Sequence, residues 1–159
     1  MDTVAAFWRD ADDSDPARMR VELEQLLSAA SLPVAHALFE RASLEDFLDN
    51  PAAAVPLYEA SLSGGLDDDR ENRARIQLAS SLPNLGRPTE ALHVLKDFEC
   101  ANEYIPARDA FVALILWDIG DAEQALRRAL GAAGPALGRY RRAVGAYAAE
   151  LSTRPEENP

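Results

Sequence analysis

Leu85-Gly86-Arg87-Pro88-Thr89-Glu90-Ala91-Leu92 and Ile119-Gly120-Asp121-Ala122-Glu123-Gln124-Ala125-Leu126 fall into register when the chain is shifted against itself by 34 residues. Gly86 to Gly120, Ala91 to Ala125, Leu82 to Leu116 and Ala79 to Ala113 all keep that interval. A fixed period of this length is the signature of a repeated supersecondary unit. Each residue type serves one physical need. Small Ala79 and Ala113 let paired helices approach closely, the glycines make the sharp turn between them, and Ala91 and Ala125 sit where the second helix crosses the first. An earlier copy holds Ala42, Leu48 and Ala54, with Asp49-Asn50 in place of the turn glycine. Ala54 to Ala91 is 37 residues, so the connection through Gly64-Gly65 carries three extra.

Outward from these copies the chain reads as helix throughout. Alanine, the best helix former, is the commonest residue with 30 copies, and alternating Val/Ile/Thr runs are nearly absent. Prolines mark the helix starts. Asp15-Pro16 pairs an N-cap with a first-turn proline, and Met19, Leu23, Leu26, Leu27 and Ala30 follow as one apolar stripe. Leu32-Pro33 opens the next helix and Asn50-Pro51 another, which Gly64-Gly65 stops. Asp67, Asp68 and Asp69 suit the positive end of a helix dipole. Further helices are expected over 70–85, 88–99, 106–119, 121–132 and 135–151. Pro83 falls late in the first of these, where a kink or an early end is expected. Leu137, Tyr140, Val144, Tyr147 and Leu151 give the last helix an apolar stripe suited to covering the open face of the final copy. Residues 1–31 read as an N-terminal segment and helix, with Phe7-Trp8 in a short docked helix or a loose strand of chain. Three copies occupy 32–133, a capping helix 134–151 and a flexible tail 152–159.

The fold class is therefore all-α. These residues resemble the tetratricopeptide repeat family, helix–turn–helix units of 34 residues, over Leu32 to Ala133; the stretch from Ala54 to Leu82 looks like a bacterial branch of it. Two features depart from the pattern: the first copy lacks its turn glycine, and no copy has the usual proline after its second helix. The resemblance implies a right-handed superhelix of stacked antiparallel helix pairs, an α-solenoid with a capping helix. It also implies a non-enzymatic scaffold that holds a partner peptide or helix in a concave groove. Carried over position by position, the groove takes His36, Phe39, Ser43, Asp46 and Phe47 from the first copy. The second gives Arg73, Ile76, Ser80, Pro83 and Asn84, and the third Ala107, Ala110, Phe111, Leu114, Trp117 and Asp118. Phe111 fits either the core or the groove, while Trp117 is expected to be partly exposed. The family's clamp for chaperone C-terminal carboxylates needs Lys and Asn where this chain has Phe39, Ser43, Ile76 and Ala110, so that function is not expected.

Composition narrows the rest. Residues 1–69 hold fifteen acids and four arginines, whereas residues 70–159 hold twelve acids and twelve bases, so the formal charge of −11 sits in the first part. That balance repels a phosphate backbone, and no nucleic acid is expected. Arg127, Arg128, Arg139, Arg141 and Arg142 read as a solvated helix face. The longest apolar run, Ala110 to Trp117, is far too short to span a bilayer, and Met1-Asp2-Thr3-Val4 does not open a secretory signal. One cysteine, Cys100, suits a reducing cytoplasm. Arginine supplies fifteen of the sixteen bases, which fits a GC-rich bacterial genome.

No catalytic arrangement survives inspection. His36 and His93 are the sole histidines; no His-x-x-x-His or Cys-x-x-Cys pair occurs, and His93 with Cys100, which could share one helix side, lacks the further ligands that a zinc site needs. A calcium loop starting at Asp67 would place Leu78 at its twelfth position, where a bidentate Glu is needed. The chain has no Gly-x-Ser-x-Gly and no phosphate loop around its lone Lys96. The inventory points away from an enzyme and calls for no cofactor or metal. Two readings stand: a scaffold for an apolar helix or peptide with some basic residues, or a chain that assembles with itself.

Overall fold

The computed structural model describes residues 3–96 and 98–151; the expected tail at 152–159 lies outside the described residues. Among them the fold is all-α, with no strand. The chain divides into two compact units, Met1–Ser81 and Leu82–Pro159.

The first unit contains α1 (Thr3–Arg9), α2 (Pro16–Ala30), α3 (Val34–Phe47), α4 (Pro51–Ser63) and α5 (Asp68–Ser81). Asp15 caps α2 by accepting from the Arg18 amide at 3.0 Å, and Pro16 takes the first turn as expected. Met19, Leu23 and Leu27 bury their side chains, but Ala30 is exposed, because α2 ends there with Ser31 in the left-handed region. Val4 and Phe7 of α1, this stripe of α2, and Ala37 and Leu44 of α3 form one core. The short docked helix is thus the form that residues 3–9 take. A bidentate pair joins Arg20 on α2 to Glu45 on α3 at 2.7 and 2.8 Å, and Asn50 donates to the same carboxylate. Helices α3 and α4 pack as a pair, with fully buried Ala42 and Ala54 and the Phe39 and Tyr58 rings 6.3 Å apart. Gly64 ends α4 close beside α3; a Cβ there would lie 2.9 Å from that of Ala35, so only glycine fits without a shift. Asp67 caps α5 through the Arg70 amide, and that bond first of all holds its carboxyl below the usual range. Pro83 ends α5 early: the helix stops at Ser81 and a 3-10 turn covers Pro83–Leu85.

The second unit contains α6 (Pro88–Lys96), α7 (Ile105–Asp118), α8 (Ala122–Ala133) and α9 (Arg141–Glu150). Helix α6 is shorter than expected, ending at Lys96 rather than Glu99. The last helix also differs. It begins at Arg141, not Pro135, because Gly138 takes φ 52° and ψ −125°, which no helix accommodates. Pro135 lies instead in a 3-10 segment, Gly134–Tyr140. Helix α9 packs on α8 and on the 3-10 segment before it; Ala148 is buried and Val144 half-buried, while Tyr140 and Tyr147 of the expected stripe are exposed.

The turns carry the period. In all three copies a residue with positive φ closes the first helical stretch, in the second copy at the end of the 3-10 turn after α5: Asp49 at 54°, Gly86 at 73° and Gly120 at 89°. The residue after each sends its amide back five positions, Asn50 to the Glu45 carbonyl, Arg87 to Leu82 and Asp121 to Leu116, at 2.8, 3.1 and 2.9 Å. This is the six-to-one bond of a Schellman turn. Asp49 therefore performs the glycine's task in the first copy, with the turn otherwise unchanged. The alanines that follow, Ala54, Ala91 and Ala125, are all buried.

Candidate functional site: an apolar trough between α7 and α8

Helix α8 is strongly two-sided, yet Ala125 is the one residue it buries among those described. Its apolar stripe runs Ala122, Ala125, Leu126, Ala129, Ala132 and Ala133, at the spacing of one helix face. Opposite it, α7 presents Pro106, Ala110, Ala113, Leu114 and Trp117. Together these residues line an open trough of about 780 Å3 with no charged side chain in its wall. Alanines make the floor, and the large groups stand at the rim: Trp117 is 66% exposed, Leu114 60% and Leu126 49%. Isolated exposed apolar groups are normal, but a contiguous set around a concavity marks a contact surface. No residue of α9 is among those that line the trough.

A second concavity, of about 350 Å3, lies in the first unit between Trp8, Ser43, Asp46, Phe47, Arg73 and Gln77. The Trp8 indole donates to Glu40 Oε2 at 2.7 Å and meets the Phe47 ring edge-on at 6.2 Å. Asp46 accepts from Ser81 Oγ at 2.5 Å and from the Tyr58 hydroxyl at 3.5 Å. Burial raises the Asp46 pKa above the ordinary aspartate range, against the pull of those hydroxyls. Burial, then the Asp46 charge, push the Tyr58 phenol up as well.

The structure distributes the sixteen expected groove positions unevenly. Ser43, Asp46, Phe47 and Arg73 meet around the smaller pocket, and Ala110, Leu114 and Trp117 line the trough. Phe39 is fully buried and Ile76 nearly so, both as core residues rather than accessible anchors. Arg73 lays its guanidinium over the Phe39 ring at 5.1 Å. His36 is half-buried with Nε2 3.5 Å from Asp67 Oδ2. Ser80 bonds the Gln77 carbonyl, and Pro83, half-buried, opens the 3-10 turn. Phe111 is half-buried on α7; Asn84, Ala107 and Asp118 are exposed and line neither concavity. Sequence reasoning missed the α8 wall entirely, although its alanine stripe, broader than one packing seam needs, was there to be read. It also missed Gln77, for which no sequence signal exists.

The packed pairs α3–α4 and α7–α8, together with one turn geometry recurring in three copies, are the marks of a helical-repeat protein. The chain belongs to the tetratricopeptide repeat family: the family model described as "Tetratrico peptide repeat" matches residues 35–151. Repeats of this family generally mediate protein–protein interactions, and its members are typically scaffolds without catalytic activity. Nothing among the curated proteins or the solved structures matches the chain. Among the described residues no helix is long and apolar enough to cross a membrane, and no group of His, Cys, Asp and Glu is placed to hold a metal ion.

Proposed function

We propose that this chain is an interaction module that docks an apolar helix of another protein in the trough between α7 and α8. One observation carries the reading: Trp117, Leu114 and Leu126 stand exposed around an uncharged, alanine-floored concavity. The helix-in-groove mode needs such a surface, a narrow apolar channel flanked by large side chains. Tryptophan leads the residue types whose loss costs most at interfaces, about 2 kcal/mol or more each. Free Cys100 is in keeping with a reducing compartment such as the cytoplasm.

Partners captured on the wild-type chain and on Trp117→Ala, with folding of both verified by circular dichroism, test the reading. The expected result is a loss of about thirtyfold in affinity for Trp117→Ala, the equivalent of about 2 kcal/mol. Equal binding by the two proteins would remove the trough from the account. The alternative is that a second copy supplies the helix, because an open terminal face is where a repeat stack accepts its next element. Light scattering separates the two readings: a monomer supports a foreign partner, and a dimer that Trp117→Asp dissociates supports the copy.

A further inference from the structure

Asp46 differs from the carboxylates around it. Glu24 is paired with Arg41, Glu45 with Arg20, Asp67 with Arg70 and Glu71 with Arg75. Asp46 is half-buried, and its partners among the described residues are the hydroxyls of Ser81 and Tyr58, with no cation. Buried charge is ordinarily compensated by opposite charge, and here the compensation is missing. Two atoms in the same pocket wall are also unpaired. Ser43 Oγ, on a side chain more than nine-tenths buried, lies near the Tyr58 phenol but makes no hydrogen bond of good geometry, and buried Gln77 Oε1 has none either. Arg73, the cation on the rim, is drawn to the Phe39 ring and to Asp69 at 3.8 Å.

We propose that the pocket formed by Trp8, Ser43, Asp46, Phe47, Arg73 and Gln77 receives an arginine side chain of a partner protein, seated on the Asp46 side, with the Arg73 guanidinium held away over the Phe39 ring and toward Asp69. A guanidinium carries five N–H donors in a plane, enough to serve the carboxylate directly and, once side-chain rotation opens them to the pocket, the enclosed Ser43 and Gln77 oxygens. Its flat face suits the Trp8 and Phe47 rings, which a lysine ammonium uses less well. The unit around it, residues 1–81, holds sixteen acids against seven arginines, which raises the local concentration of cationic ligands. The inference rests on the chain being a protein-binding module, but on residues separate from the trough. Loss of partner binding in Trp117→Ala without an arginine response removes this inference alone. An arginine response with binding unchanged in Trp117→Ala removes the trough alone.

The test uses the full chain, labelled with 15N, and Nα-acetyl-arginine methylamide as probe. The isosteric but neutral citrulline analogue is the control. The arginine probe is expected to move the Trp8 indole N–H resonance saturably, with citrulline binding weaker by about tenfold or more. Asp46→Asn is expected to abolish the response; should that variant not fold, Gln77→Leu is expected to weaken it severalfold. An indole resonance that does not move, an equal response to both probes, or full binding by the folded variant would overturn the proposal.

Discussion

Single residues divide into those that hold the fold and those that face a ligand, and their burial decides which. Phe39 occupies an expected groove position yet is fully enclosed, so Phe39→Ala is expected to destabilise the chain by about 3–5 kcal/mol in chemical denaturation. Trp117→Ala, removing an exposed ring, is expected to change stability by less than about 0.5 kcal/mol. Similar losses in the two would contradict this division. Periodicity in the sequence identifies which face a residue shares, but not its depth, which is why Phe39 and Trp117 were grouped together. Asp49 was legible in the opposite sense. Its departure from glycine was plain, while its left-handed backbone, at φ 54°, was not. A non-glycine residue there costs about 1 kcal/mol, so Asp49→Gly is expected to raise the unfolding free energy by about that amount. A loss of stability would mean that the Asp49 side chain supports the turn.

Elements were read most reliably where local chemistry acts alone. The cap at Asp15, glycines at Gly86 and Gly120, and the proline stop after Ser81 all follow from one residue's own backbone preferences. The last helix was misread because a stripe of Leu137, Tyr140 and Val144 suggests continuity, and Gly138 interrupts it. Glycine's freedom of backbone conformation does not say that the freedom will be used. Helix α4 presents the converse case, since Pro56 sits inside it on an exposed face. Proline has no amide with which to bond the Ala52 carbonyl, so α4 forgoes that hydrogen bond. Pro56→Ala is expected to raise the thermal midpoint, by the equivalent of about 1–3 kcal/mol. A lower midpoint would show that Pro56 supports α4 in its place.

Over the whole molecule, acid and base are unevenly shared, and the response to pH follows from the pairs that result. Hydrogen bonds from Arg41, Arg20 and the Arg70 amide depress the pKa values of Glu24, Glu45 and Asp67 respectively. A carboxylate whose folded pKa lies below its unfolded value stabilises the fold fully above the unfolded value. For the glutamates that value is 4.5, and the contribution fades as pH falls through the depressed one. Asp46 works in reverse, because burial raises its pKa and its charged form opposes folding at neutral pH. Acidification relieves that penalty first. The thermal midpoint is thus expected to hold or rise slightly from neutral pH to about pH 5, then fall. Glu45→Gln is expected to flatten the acid-side fall, and a midpoint that climbs steadily through the glutamate range would contradict the assignment.

The repeating turn was visible from the 34-residue interval; the broad alanine stripe of α8 was there to be read as well, but periodicity does not say that the last helix would leave it uncovered as a wall of the trough. Hydrogen–deuterium exchange of the full chain, free and with a captured partner, tests that trough most directly. Protection is expected to concentrate in peptides covering α7 and α8, residues 105–133, with the α2 surface around Val21 unchanged. Protection that leaves α7 and α8 untouched would contradict the account.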